Sequence, residues 1–261
     1  MGVLKLAGSL LAVALLYVLF LSICSLLVDS RKEYENHSRF YRMLLNGATW
    51  LGLKIMRIQV HVTGLEKIPQ GTTKLLFVSN HRSNFDPIVT WLVLKRWKPA
   101  FVSKKENFSI PVFGRLIRKC CFMAIDRENP RNAIKTIDKA ARILKKEEVS
   151  IGIYPEGTRS KSGELLSFHN GVFKIAKKAE VPIVVLSVEG TEQISKNYPL
   201  HHSDVYFKVL EVLPTEVVLD RRTDELGEYI RNLMKQHLGE KEREEEESEE
   251  AGCGLSEITF S

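Results

Sequence analysis

The sequence predicts an α/β domain built on a mostly parallel, mixed sheet flanked by helices. Three observations predict it. Leu75 to Val78 and Val181 to Val188 are continuous apolar runs of the length of buried strands. Between such runs lie helices with explicit starts: Asp86-Pro87 and Asn129-Pro130 each place a capping side chain before a proline at a first helical position. After Pro130, Ile134, Ile137, Ala141 and Leu144 recur at spacings of three and four, one apolar stripe along a helix. Strands separated by helices of this length pair in parallel.

The elements follow in chain order. Leu6 to Val28 is 23 residues without charge, which as a helix covers roughly 35 Å against a hydrocarbon core of ~30 Å. It is longer than the apolar region of a signal peptide and no A-x-A cleavage site follows it, so a retained membrane helix is expected. Basic residues flank both ends, and the positive-inside rule leaves the orientation open. Arg39 to Arg57 combines Phe40, Met43, Leu44, Trp50 and Ile55 with Arg39, Arg42, Lys54 and Arg57, an amphipathic helix that reads equally as core packing or as an interfacial helix with arginines at lipid phosphates. Residues 1–57 are therefore expected to dock the chain on a bilayer. Ile58, Val60 and Val62 alternate with polar residues, the period of a half-buried strand, and open the main domain, 58–238. Residues 239–261 read as an acidic, disordered tail.

Composition limits the function. With 261 residues, 44% hydrophobic and 27% charged, the chain is neither fibrous nor disordered. Its four cysteines, Cys24, Cys120, Cys121 and Cys253, make no CxxC zinc spacing and no disulfide framework. The net charge is +6, yet Glu240 to Glu250 holds eight glutamates against Lys241 and Arg243, so that stretch is −6 and the remainder +12. Such a surplus suits an acidic partner, with nucleic acid, anionic lipid, an acidic carrier protein and phosphorylated substrates all eligible.

Two constellations carry chemistry. Asn80-His81-Arg82-Ser83-Asn84-Phe85-Asp86-Pro87 follows the strand Leu75 to Val78 directly. Ligands of α/β proteins gather at the carboxyl ends of strands, and an Asp five residues after a His can hold one imidazole nitrogen and leave the other basic. Taken singly, His81 reads equally as a general base or a loop histidine, and Asp86 also reads as a helix cap. Tyr154-Pro155-Glu156-Gly157-Thr158-Arg159 ends the apolar run Val149 to Tyr154. Its glycine would let backbone N–H groups approach an oxyanion, its arginine could hold phosphate in two hydrogen bonds, and Glu156 would orient that arginine or the substrate. A turn with a surface ion pair is the plainer reading. Lys104-Lys105-Glu106 and Asp126-Arg127 each follow a further strand, so a parallel sheet would bring His81, Lys104, Arg127 and Arg159 to one edge.

Other chemistries lack their motifs. There is no G-x-S-x-G, no G-x-x-x-x-G-K-[ST] and no H-E-x-x-H. His201-His202 is read as a loop pair, and Cys120 and Cys121 as inert core thiols. The basic surplus lacks the aromatic interleaving of a single-strand nucleic-acid binder, and no nucleic-acid partner is expected.

In order and spacing, the H-x4-D box His81 to Asp86, Asp126-Arg127, Tyr154 to Arg159 and Val181-Pro182-Ile183 resemble the four blocks of the glycerolipid acyltransferases, most nearly those that act on 1-acylglycerol 3-phosphate in bacteria. The resemblance covers Ile58 to Leu213 and includes Pro111, Gly114, Phe168 and Gly171. It implies a glycerol-3-phosphate acyltransferase-like fold with an amino-terminal membrane-docking segment. It further implies His81 as base, Asp86 as its partner, and Lys104, Arg127, Glu156, Gly157, Thr158 and Arg159 at the glycerol phosphate. The implied partners are the bilayer, lysophosphatidic acid, and acyl-CoA or acyl-carrier protein as co-substrate, with no metal and no cofactor. Because acyl thioesters are cytosolic, the catalytic domain is expected on the cytoplasmic side of the cell membrane. Cys121 stands where the family often has a small residue, and Val185 where it has a second proline.

Overall fold

Backbone is described for residues 2–160 and 162–253 of the computed structural model, and side chains for residues 8–9, 12–160 and 162–238. Among the described residues, seven strands form one sheet: β1 (Ile58–Thr63), β2 (Leu76–Ser79), β3 (Pro99–Lys104), β4 (Met123–Ile125), β5 (Ser150–Ile153), β6 (Ile183–Glu189) and β7 (Ser203–Leu213), in the spatial order β1-β7-β6-β2-β5-β3-β4. All neighbouring pairs are parallel except β6 with β7. The mostly parallel, mixed sheet expected from the sequence is what forms. β2 is apolar up to its last residue, Ser79, and β6 up to Ser187, because both faces of each are covered.

Side chains alternate between the two covers. Leu76, Val78, Ile151, Ile183 and Val185 face α5 (Pro130–Lys145), α6 (Lys174–Ala179) and α9 (Thr223–Cys253). Leu75, Phe77, Val184, Leu186 and Val188 face α3 (Asp86–Val93) and β7's inner side chains Val205, Phe207 and Val209. Of the expected stripe on α5, Ile137, Ala141 and Leu144 are buried, joined by Ala140, while Ile134 is exposed, and the Asn129 carboxamide caps the first turn by accepting from the Arg131 and Asn132 amides, as the Asn-Pro signal requires. β1 departs from its expected half-buried pattern. It is an edge strand and exposes every residue after Val60, because no second layer lies over it.

The amino-terminal helices correct a second expectation. α1 (Gly2–Leu26) is a helix, but among the described residues no helix is long and apolar enough to cross a membrane. Part of the anticipated span, Leu6, Ala7, Leu10 and Leu11, lies outside the described side chains; the described run from residue 12 to 26 gives about 22 Å of helix. One face of that run is also committed to protein. Tyr17, Leu21, Cys24 and Val28 pack on Tyr41 and Leu44 of α2 (Arg39–Ile55) and on Leu116 of α4 (Phe113–Lys119). The Tyr17 hydroxyl donates to the Leu44 carbonyl at 2.9 Å, and the Tyr41 hydroxyl to the Cys24 carbonyl at 3.0 Å. The opposite face, with Val13, Leu16, Phe20, Ile23 and Leu27, is exposed, as are Phe40, Met43, Trp50 and Ile55 of α2.

Arg42 is not at a surface where lipid phosphates could reach it. It is buried, donating to the carbonyls of Pro99 and Cys120 at 3.0 and 3.3 Å and lying over the Trp91 ring, which pins α2 to the main domain. The backbone of α9 runs on to Cys253, into the segment expected as an acidic tail, 239–261, with side chains beyond Leu238 and residues 254–261 outside the described set. Leu226, Ile230 and Met234 anchor the first half of α9 in the core.

One turn governs how β6 leaves the sheet. Gly190 sits at φ +84°, and a Cβ there would lie 2.2 Å from the Asp204 carbonyl oxygen. Gly190→Ala is expected to lower the unfolding free energy by about 1–3 kcal/mol or more, measured by urea titration, since the new side chain meets both a strained backbone and a fixed carbonyl. Wild-type stability in that variant would show that the turn relaxes freely.

Candidate active site

β2 ends in a buried amide. The Asn80 side chain accepts from the Val188 N–H at 2.8 Å and donates to the Val188 carbonyl at 2.9 Å, completing the pairing of β2 with β6 where the strands part. The chain then turns sharply, and His81 emerges at the carboxyl edge of the sheet.

Asp86 organises this turn. Its carboxylate is fully buried, and Oδ2 accepts from the backbone N–H groups of Arg82 and Ser83 at 2.7 and 2.8 Å and from His81 Nδ1 at 2.8 Å. Oδ1 accepts from the Thr191 hydroxyl. The helix-cap reading of Asp86 is thereby corrected. Phe85 is the cap residue of α3, and the carboxylate reaches back to the loop that carries His81 rather than forward to helical amides. With Asp86 accepting, Nδ1 carries the proton and Nε2 keeps its lone pair. The His81 ring lies on the Tyr154 ring, centroids 4.4 Å apart, which fixes its plane. Burial, and then the Asp86 charge, push the Tyr154 phenol well above its ordinary pKa, so this platform stays neutral.

A cavity of about 570 Å³ opens in front of His81. Its lining includes Lys104, Arg127, Thr158 and Arg159 together with Leu45, Trp91, Phe101, Ile117 and Phe122. Lys104 ends β3 and the other three polar residues follow β4 and β5, strands that lie side by side with β2 in the order β2-β5-β3-β4, so their convergence is a consequence of parallel pairing. Asp126, in contrast, forms no pair with its neighbour. It accepts from the Glu128 and Asn129 amides and the Asn132 side chain, which sets the turn into α5.

Glu156 and Gly157 do not line the cavity, unlike the other substrate-binding residues the resemblance implies. Glu156 is buried, with Oε1 accepting from the His81 N–H at 2.6 Å and Oε2 from the Leu166 N–H at 2.9 Å. It clamps the two motifs together. Gly157, at φ +68°, donates its N–H to the Tyr154 carbonyl, and a Cβ there would lie 2.7 Å from the His169 ring. Thr191 was missed by sequence reasoning, although its place just after the apolar strand Ile183 to Val188 is the same strand-end signal that singles out His81. The thiols of Cys120 and Cys121 are buried, which pushes both up to about 12, so neither supplies a nucleophile.

The Glu156 clamp has a pH signature. Burial raises its carboxyl above the usual range, opposed by the amides of Leu166 and His81. A raised folded-state pKa means that the folded chain holds the proton more tightly than the unfolded one. This contribution to stability is therefore largest below the ordinary carboxylate range and falls as pH rises from there through the folded pKa. Glu156→Gln should abolish that fall while turning one amide N–H₂ against a backbone N–H, at a cost of ~1–3 kcal/mol. Urea unfolding of both proteins across a pH series reads both effects, and parallel pH slopes would exclude Glu156 as the titrating group.

Comparison with known proteins agrees with this site. A profile of the acyltransferase family matches residues 59–189. The 1-acyl-sn-glycerol-3-phosphate acyltransferase of Escherichia coli is 33% identical over 68% of this chain and 72% of its own. The protein of the same name from Cocos nucifera is 31% identical over 74% of this chain, which spans 63% of that relative's length. In solved structures, the 1-acyl-sn-glycerophosphate acyltransferase of Thermotoga maritima has the same fold, with a TM-score of 0.66 and 24% identity over 87% of this chain and 89% of its own.

Proposed function

The chain belongs to the acyltransferase family, and we propose that it moves a fatty acyl group from acyl-CoA or acyl-carrier protein to the sn-2 hydroxyl of 1-acylglycerol 3-phosphate, forming phosphatidic acid at a membrane surface. The observation that carries this reading is one cavity holding three unlike features: the Asp86-bound His81, the cations Lys104, Arg127 and Arg159, and an apolar wall. An amphiphile with a phosphate, a nearby hydroxyl and an acyl chain suits all three.

The chemistry needs little else. Nε2 of His81 takes the sn-2 hydroxyl proton as that oxygen attacks the thioester carbonyl, and Asp86 stabilises the imidazolium that forms. The tetrahedral oxyanion collapses with cleavage of the carbon–sulfur bond, and the departing thiolate takes the proton back from His81 as free thiol. A base of this kind contributes ~10²–10⁴-fold, the rest coming from positioning and from donors around the oxyanion. Lys104, Arg127 and Arg159 bind the phosphate with Thr158 as a further donor, and Trp91, Phe101, Ile117 and Phe122 take an acyl chain. The exposed apolar faces of α1 and α2 lie in the interface of the bilayer on its cytoplasmic side, where both the lipid acceptor and the thioester donor are within reach.

The direct test is an assay of the purified full chain with lysophosphatidate and either thioester, following phosphatidic acid. His81→Ala should lose at least about 100-fold in kcat while the chain stays folded by circular dichroism, with a melting temperature lower by a few degrees because Asp86 loses one of its donors. Near-normal turnover would remove the general base. Arg159→Lys keeps the charge and loses the fork, so kcat/KM for lysophosphatidate should fall by about 10- to 150-fold while the low rate on monoacylglycerol stays nearly constant. Equal losses on the two acceptors would transfer the phosphate contact to Lys104 or Arg127.

A further inference from the structure

A second cavity, of about 560 Å³, lies between the carboxyl-terminal end of α1 and α4, and it shares only Ile110 with the cavity in front of His81. Two guanidiniums face it. Arg115 has one donor on the Ser25 carbonyl at 3.4 Å, a bond at the limit of length, and Arg118 lies against the Phe108 ring at 5.0 Å. The Arg118 Nε is buried with no hydrogen-bond partner, and among the described residues neither arginine has a carboxylate within ion-pair distance. None of the residues lining the cavity is acidic.

Both arginines are half-buried at the cavity, and the group that two neighbouring guanidiniums with no carboxylate partner bind best is an oxyanion with several acceptor oxygens, above all a phosphate. The hydroxyls of Ser30 and Ser109 stand at the same cavity. What carries the phosphate is indicated by the rim, where Leu26 and Ile110 are exposed and Leu27 follows with 77% of its surface open. Val112, which lines this cavity, sits at φ +61°, a conformation that β-branched residues avoid and that tertiary structure must impose.

We propose that this cavity seats the phosphate headgroup of an anionic bilayer lipid, apart from the catalytic cavity, with the lipid's chains along Leu26, Leu27 and Ile110. A lipid held there sets the depth at which the shared Ile110 rim, and with it the mouth of the catalytic cavity, meets the bilayer. The inference rests on the interfacial docking proposed above, and the test separates the two.

The full chain is floated with vesicles of phosphatidylcholine alone or with about one fifth phosphatidylglycerol, an anionic lipid that is not the proposed product. Wild type should bind the anionic vesicles about 10- to 100-fold more tightly, the scale of two arginines at an anionic surface. The variant Arg115→Gln/Arg118→Gln should lose that increment and keep its binding to phosphatidylcholine. Ser109→Glu, which places a carboxylate beside the guanidiniums, should do the same and serves if the double variant fails to fold. Lys95→Gln/Arg96→Gln removes equal charge elsewhere and should keep the increment. The proposal is overturned if the increment survives in the cavity variants, if the Lys95/Arg96 variant loses it equally, or if millimolar inorganic phosphate abolishes it, which would make a free anion the ligand. Anionic binding without any binding to phosphatidylcholine supports the site and sinks the apolar docking. No binding to either vesicle sinks both.

Discussion

A buried carboxylate can be tolerated only if its acceptor capacity is met, and the functional half of this molecule is arranged around meeting that condition for Asp86. Four donors converge on it: two backbone amides and an imidazole of its own loop, and a hydroxyl from beyond β6. Removing any one leaves charge in a medium that solvates it poorly. The loop after β2 is thereby closed on itself, Nδ1 of His81 is assigned its proton, and the end of β6 is tied to the start of α3. Rigidity and basicity have the same source.

Glu156 repeats the device one strand away, bridging the loops that follow β2 and β5 through the amides of His81 and Leu166. The second carboxylate explains why both motifs must be present together. One supplies the base, while the other supplies the arginine and holds the backbone of the base in place. The His81 ring is held by Asp86 at Nδ1 and by the Tyr154 ring beneath it, while Glu156 holds its backbone N–H.

Charge is separated on a larger scale as well. Lys104, Arg127 and Arg159 line the same cavity as a set of aromatic and aliphatic side chains, while α1 and α2 carry an apolar face outward. An amphiphilic substrate would be oriented before any chemistry begins. The same logic, cations beside exposed hydrocarbon, recurs at Arg115 and Arg118.

Much of this was legible in the residues alone. Strand-length apolar runs, Asn-Pro and Asp-Pro starts and the stripe on α5 specify buried strands and amphipathic helices because burial and backbone geometry act locally, and parallel pairing then requires His81, Lys104, Arg127 and Arg159 to share an edge. The motif order pointed to the same chemistry. What local sequence could not decide is which partner each polar atom finds. Asp86 turned from cap to organiser because Thr191, distant in the chain, reaches Oδ1. Glu156 went to two amides and not to a ligand, and Arg42 went to carbonyls and not to lipid. The uncharged amino-terminal run came to share itself between protein and surface because α2 and α4 offered it a complementary face. Hydrophobic patterning is set by the chain's own period, whereas hydrogen-bond and charge partners are set by distances that exist only after the sheet has brought remote residues together.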